Sequence, residues 1–190
     1  MPPGLIRSAE VADEKIAEFP GVAERGAVTG GNLVGHDAQA LMCQLPARLL
    51  VLLAGMIPVP GETPGEWWAS TGYERAAEQQ AKLDGGKTGH DDPLISAYNG
   101  VPRPRAEEAL RRGGRGESTA VWNTPWPLDA WPDVPTKFIV CQDDQFFPAA
   151  FMRRLAQDRL GSIPDEVPGC HCAALSHPKE LTGLLVSYLN

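Results

Sequence analysis

The sequence has no charged leader followed by an apolar stretch. It begins MPPGLIRSAEVADEK, so no export segment is expected and the protein is expected to be cytoplasmic. Long hydrophobic runs are also missing: the longest, LLVLLAGMIPV, is too short to span a bilayer. Positive charge is scarce, with 17 Lys and Arg against 24 Asp and Glu and a net charge of −7. Nucleic acid and anionic membrane are therefore not expected as partners, because both are bound through clustered Lys and Arg. The one basic stretch, Arg103 to Arg115, also carries Glu107 and Glu108 and reads as a solvated helix face. Apart from Cys170-His171-Cys172 there is no group of Cys and His at ligand spacing. Neighbouring side chains of an extended segment point to opposite sides, so no metal and no cofactor is expected there. The four cysteines, Cys43, Cys141, Cys170 and Cys172, do not form a disulfide framework and read as reduced structural thiols. No internal repeat is evident.

What is present is a globular composition, 43% hydrophobic and 22% charged, with 18 Pro and 20 Gly that imply many turns. A chain of 190 residues is long enough for one buried core, so a single domain is expected. SAEVADEKIAEF is amphipathic with Ser8 as N-cap, and nothing before Gly31 reads as a buried strand. GNLVG is a short strand candidate, and ARLLVLLAGMI (47 to 57) reads as a strand covered on both faces. From Pro58 to Pro135 strand character gives way to Pro, Gly and Trp around two helical stretches, EWWASTGYERAAEQQAKL and RPRAEEALRRG. TKFIVCQDDQFFP then supplies a strand and acidic loop, AAFMRRLAQDRL a helix, DEVPGCHCAAL a last short strand and loop, and HPKELTGLLVSYL a closing amphipathic helix. Strands alternating with helices predict an α/β architecture with a parallel sheet.

Ligands of open parallel sheets bind beyond the carboxyl ends of the strands. Three loops fall there: Gly35 to Gln39, Gln142 to Gln145 and Gly169 to Cys172. They hold Asp37, the neighbours Asp143 and Asp144, and His171. A carboxylate after one strand and an imidazole after the next can form an orienting acid and a base. The order nucleophile, acid, histidine is that of the α/β-hydrolases.

On LVGH, RLLVLLAGMIPVPGETPGEWW, WPDVPTKFIVCQDDQFFP and GCHCAALSHPKEL, the chain resembles that superfamily from about residue 31 to its end. It is most similar to the branch of small esterases that includes plant methyl esterases and hydroxynitrile lyases. The resemblance implies that Asp144 is the triad acid, with Asp143 as the alternative, that His171 is the catalytic histidine, and that residues 58–130 are a helical cap with Trp67 and Trp68 as apolar lining. At the elbow, where the family has G-x-S-x-G, this chain reads Gly35-His36-Asp37-Ala38-Gln39. Asp37 takes the nucleophile's place, as in the family's epoxide hydrolases and haloalkane dehalogenases; its plainer alternative is a turn or helix cap. His36 fills the variable elbow position, and Ala38 would turn its amide toward an oxyanion.

The chain departs from the family in three ways. Gln39 stands where a small residue belongs, no His-Gly pair is present, and the family's first strands have no counterpart before Gly31. The expected fold is thus an incomplete α/β-hydrolase with roughly three to five parallel strands and a helical cap. The short connection from Gly35 to the strand near Leu49 lies close to the ~10–12 residue minimum for a parallel crossover. The implied function is that of a small-molecule carboxylic ester hydrolase acting on apolar substrates, with its activity impaired. The alternative is a non-catalytic small-molecule-binding or interaction protein derived from one. A homo-oligomer paired through an exposed sheet edge near residues 32 to 35 is a further expectation.

Overall fold

The computed structural model describes residues 27–30, 49–112, 122–126, 128–131 and 133–189. In chain order these form β1 (Ala27–Gly30), β2 (Leu49–Leu53), α1 (Pro64–Ser70), α2 (Tyr73–Asp84), α3 (Pro93–Ser96), α4 (Arg103–Arg112), β3 (Thr136–Cys141), α5 (Ala149–Leu160), β4 (Asp165–Val167), α6 (Ala173–Ser176) and α7 (Pro178–Ser187). The strands build one four-stranded sheet in the order β1-β2-β3-β4. Every pairing is parallel, with Ala27 opposite Leu49, Leu50 opposite Thr136 and Ile139 opposite Asp165.

The run Leu49–Leu53 forms a strand because its apolar residues serve both faces of the sheet. Successive side chains of a strand point to opposite sides. Leu50 and Leu52, with Phe138 and Val140 of β3, face a cluster completed by Met56, Ile57, Trp67 and the apolar side of α5. Val51, with Ile139, Cys141 and Val167, faces the other side and packs with Ala173 and Leu181. The two helices match these faces by spacing. Phe151, Met152, Leu155 and Ala156 of α5 recur at helical intervals, as do Leu181, Leu184, Leu185 and Tyr188 at α7. The result is a sheet sandwiched between α5 with α1 on one side and α6 with α7 on the other.

A third cluster joins the β2–β3 connection to the end of the chain. Tyr98, Val101 and Ala106 are buried with Cys170, and Leu94, Cys172 and Leu175 pack against them. The connection also meets itself near its two ends: the Gly61 amide donates to the Trp126 carbonyl at 3.2 Å, and the Trp126 amide donates to the Glu62 carbonyl at 2.9 Å. Trp131, 5.2 Å from Trp126 between ring centroids, donates its indole N–H to the Pro58 carbonyl. Packing thus accounts for Trp126 and Trp131, which sit among the prolines.

Two sequence expectations are corrected. The first strand lies at Ala27–Gly30, in a stretch with no strand-like hydrophobic run. It pairs with β2 and stands before Gly31, where no strand was expected; the GNLVG candidate and the connection from Gly35 lie outside the described residues. The stretch EWWASTGYERAAEQQAKL is two helices rather than one, because Gly72 takes the left-handed conformation (φ 74°) between α1 and α2. Thr63 starts α1 with a capping box, its hydroxyl accepting from the Glu66 amide while the Glu66 carboxylate accepts from the Thr63 amide. The expected helix at Ser8, the Gly35–Gln39 elbow and the sheet edge near residues 32 to 35 lie outside the described residues.

Candidate active site

All strands run in the same direction, so the loops after β3 and β4 emerge at the same edge of the sheet. The loop after β3 carries Asp143 and Asp144; the loop after β4 carries His171. Between them, the Nδ1 atom of His171 lies 2.8 Å from Oδ2 of Asp144. The Asp144 side chain is 1% exposed and that of His171 11%.

Asp144 is held from its own loop. Its other oxygen, Oδ1, accepts from the amides of Phe146 at 2.7 Å and Phe147 at 2.8 Å. A carboxylate accepting from backbone amides just ahead of a helix is a short-range turn that Asp makes readily. With Oδ1 fixed in this way, Oδ2 is aimed at the imidazole. A carboxylate only accepts, so the proton on His171 is placed at Nδ1, which leaves the lone pair of Nε2 free to act as a base. Phe146 and Phe147 pack on the imidazole, with ring centroids 4.8 and 5.4 Å away, and restrict its rotation.

Tyr73 donates its hydroxyl to the Phe146 carbonyl at 2.8 Å, and burial, reinforced by the Asp144 charge, pushes the phenol well above its ordinary value. The buried Cys141 thiol is pushed up by the same two causes. Cys172 is pushed up to about 12, by burial first and then by the charges of Cys170 and Asp144. These groups stay neutral at physiological pH. A positive charge formed on His171 would be matched by the carboxylate beside it.

Asp143, the alternative acid, points elsewhere. Its Oδ2 accepts from the Gly169 amide at 3.0 Å, so the geometry assigns the imidazole contact to Asp144. The three side chains of Cys170-His171-Cys172 also part company. Cys170 contacts Ser176 at 3.5 Å and is buried in the third cluster, where Cys172 packs near Tyr98, while His171 faces Asp144.

Trp67, expected to line a substrate site, is fully buried instead. Its indole N–H donates to the Ile57 carbonyl at 3.1 Å, and its ring packs against Phe147 and Phe151. Its neighbour Trp68 is half-buried, edge-on to Tyr73 at 4.5 Å and 6.1 Å from Phe146. Trp68 therefore belongs to the aromatic group that reaches His171 through Phe146. Asp37, His36 and Ala38 lie outside the described residues. Phe146, Tyr73 and Asn99, whose side chain reaches the acid loop, were not anticipated. The spacing of Asp144 to the two following phenylalanines before a helix is a local signal for the first. The other two act across the fold, where no local pattern reports them.

A parallel sheet with an acid after one strand and a histidine after the next defines a hydrolase-type α/β protein. The chain belongs to the alpha/beta hydrolase family, whose model matches residues 6–183. Its fold is similar to that of polyneuridine aldehyde esterase, with 17% identity over 95% of this chain and 78% of that one and a TM-score of 0.65. It is also similar to an extracellular α/β-hydrolase from a Paenibacillus species, with 16% identity over 94% and 76% of the two chains and a TM-score of 0.62. A methylesterase from Arabidopsis follows, with 15% identity over 93% and 73% and a TM-score of 0.60. At these identities the likeness is one of fold. No curated protein matches the chain. Among the described residues, no helix is long and apolar enough to cross a membrane.

Proposed function

We propose that this protein is a carboxylic ester hydrolase of small apolar substrates, in which Asp144 orients His171 and His171 acts as the base. The observation that carries the reading is the 2.8 Å contact between His171 Nδ1 and Asp144 Oδ2, both side chains shielded from solvent. In the reaction, Nε2 of His171 takes a proton from water as the water oxygen attacks the acyl carbon. The imidazolium, held against Asp144, then returns that proton to the departing alcohol. Asp37, at the elbow position, is the competing nucleophile. Its attack on an ester would expel the alkoxide, which takes its proton from water, and leave an acyl anhydride on Asp37; His171 would then activate the water that cleaves it to the free acid and carboxylate. Residues 58–130 act as the cap, with Trp68 reaching the histidine through Phe146. The aspartate in place of serine makes turnover slow, and the same feature favours the second reading, a binding protein that retains the site without turnover.

The test is hydrolysis of short-chain activated esters by the purified full chain. His171→Ala is expected to lower kcat by about 100-fold or more. If Asp37 attacks, Asp37→Ala removes the activity as well; if water attacks directly, Asp37→Ala retains it. Turnover that is indifferent to His171→Ala would overturn the hydrolase reading, and saturable ester binding without turnover would establish the binding protein in its place.

A further inference from the structure

Asp144 and His171 sit on separate loops, so their pairing depends on how those loops are held together. The β3–β4 ladder reaches Cys141 opposite Val167. Beyond it the Gln142 amide donates to the Val167 carbonyl at 2.9 Å, and the Asp143 amide to the Gly169 carbonyl at 3.0 Å. The Gly169 amide is then taken by the Asp143 carboxylate, at 3.0 Å. A side chain thus adds a rung where the backbone ladder has run out. Being charged, it makes a stronger bond than a peptide carbonyl would. Gly169 has φ +107°, and a Cβ there would lie 2.3 Å from His177 Nδ1, so the turn leading to His171 is tightly enclosed.

A second tie comes from the β2–β3 connection. Asn99 Nδ2 donates to the Asp143 carbonyl at 2.7 Å, and the Cys172 amide donates to the Ala97 carbonyl at 3.3 Å. The Asp143 carbonyl belongs to the peptide unit that leads into Asp144, so fixing it sets the direction from which the Asp144 side chain leaves the backbone. Asn99 therefore bears on the acid loop while Ala97, two residues earlier, bears on the histidine loop.

We propose that Asn99 and Asp143 are positioning residues for the Asp144–His171 pair: Asp143 clamps the acid loop to the histidine loop, and Asn99 sets the orientation of the acid. The assignment deepens the hydrolase reading and rests on it for its catalytic meaning, but its geometric content is testable without turnover. A displacement of about 1 Å at a reacting pair can cost about 100-fold in rate, which is why ties of this kind matter.

The readout is the Nδ1 proton of His171 in the ¹⁵N-histidine-labelled full chain, assigned by its loss in His171→Ala. Hydrogen bonding to Asp144 shifts this proton downfield and slows its exchange with water. Asp143→Ala and Asn99→Ala are expected to speed that exchange about ten-fold, the effect of losing a bond to a charged group or to the peptide it orients. Asp143→Asn keeps an acceptor for the Gly169 amide and is expected to restore slow exchange. Exchange within about two-fold of wild type in folded Asp143→Ala and Asn99→Ala overturns the proposal. Loss of the cooperative thermal transition in both variants also overturns it, since the two residues would then be supporting the fold instead of the pair. Ester turnover measured alongside keeps the two readings apart. A wild-type chain without turnover whose proton still responds to the variants leaves the positioning role intact, whereas turnover with an unresponsive proton removes that role and leaves the hydrolase reading.

Discussion

Gly169 carries a conformation that a side chain cannot share. Its φ of +107° and the close approach of Ser176 and His177 leave no room for a methyl group. Gly169→Ala is expected to lower stability by about 2–4 kcal/mol, combining backbone strain with overpacking, as read from urea unfolding at constant m-value. An Ala variant as stable as wild type would show that the turn is not enclosed. The same scale shows what the sequence could and could not reveal. A carboxylate following one strand and a histidine following the next were legible because both stand in loops at the carboxyl ends of parallel strands. The choice between Asp143 and Asp144 was open, because neighbouring acids in one loop look alike until their acceptors are placed. Trp67 and Trp68 pose the same difficulty on a helix. Adjacent positions there differ by about 100° in direction, and only the packing shows that one is core and the other half-exposed.

Among the elements, α5 is joined to the segment just before α1 through a buried ion pair. Arg159 donates through Nη2 to Glu62 Oε1 at 2.9 Å and through Nη1 to Glu62 Oε2 and to the Ile57 carbonyl, while Ser70 donates to Glu62 at 2.6 Å. The two charged side chains are 12% and 6% exposed. Burial alone would push the Glu62 carboxyl up, but the bonds from Arg159 and Ser70 and the guanidinium charge outweigh it, so it lies below its ordinary value. Glu62→Ala leaves Arg159 unpaired and is expected to cost about 3–5 kcal/mol. A group with a lowered folded pKa contributes stability above its unfolded value and loses it as pH falls through the folded one. The gap in stability between wild type and Glu62→Gln should therefore be full at neutral pH and narrow as pH drops below 4.5, the ordinary value. A gap that is constant through this range would contradict the assignment. The helices α5 and α7 were readable from apolar spacing alone. The break at Gly72 and the strand at Ala27–Gly30 were not: the first interrupts a favourable helical pattern with one residue, and the second is set by its pairing with β2.

At the scale of the whole molecule, alternation of strands and helices announced a parallel sheet, since that order leaves helices to cover both faces. The packing of the β2–β3 connection onto that frame was not announced, because it depends on contacts far apart in the chain. All five tryptophans fall within this connection, so their fluorescence follows it while far-UV circular dichroism follows the entire fold. Coincident thermal transitions by the two signals are expected, the mark of one cooperative unit. A separate, earlier fluorescence transition would mean that the connection melts by itself.

That expectation comes from Trp67, which belongs by sequence to the connection and by position to the main core, against Phe147 and Phe151. Lifting the whole connection away would draw this indole into water at a cost of about 5 kcal/mol for its area alone. For the proposed reaction, traffic to the histidine would therefore need a smaller doorway than the lifting of the whole connection, with the anchor still moored.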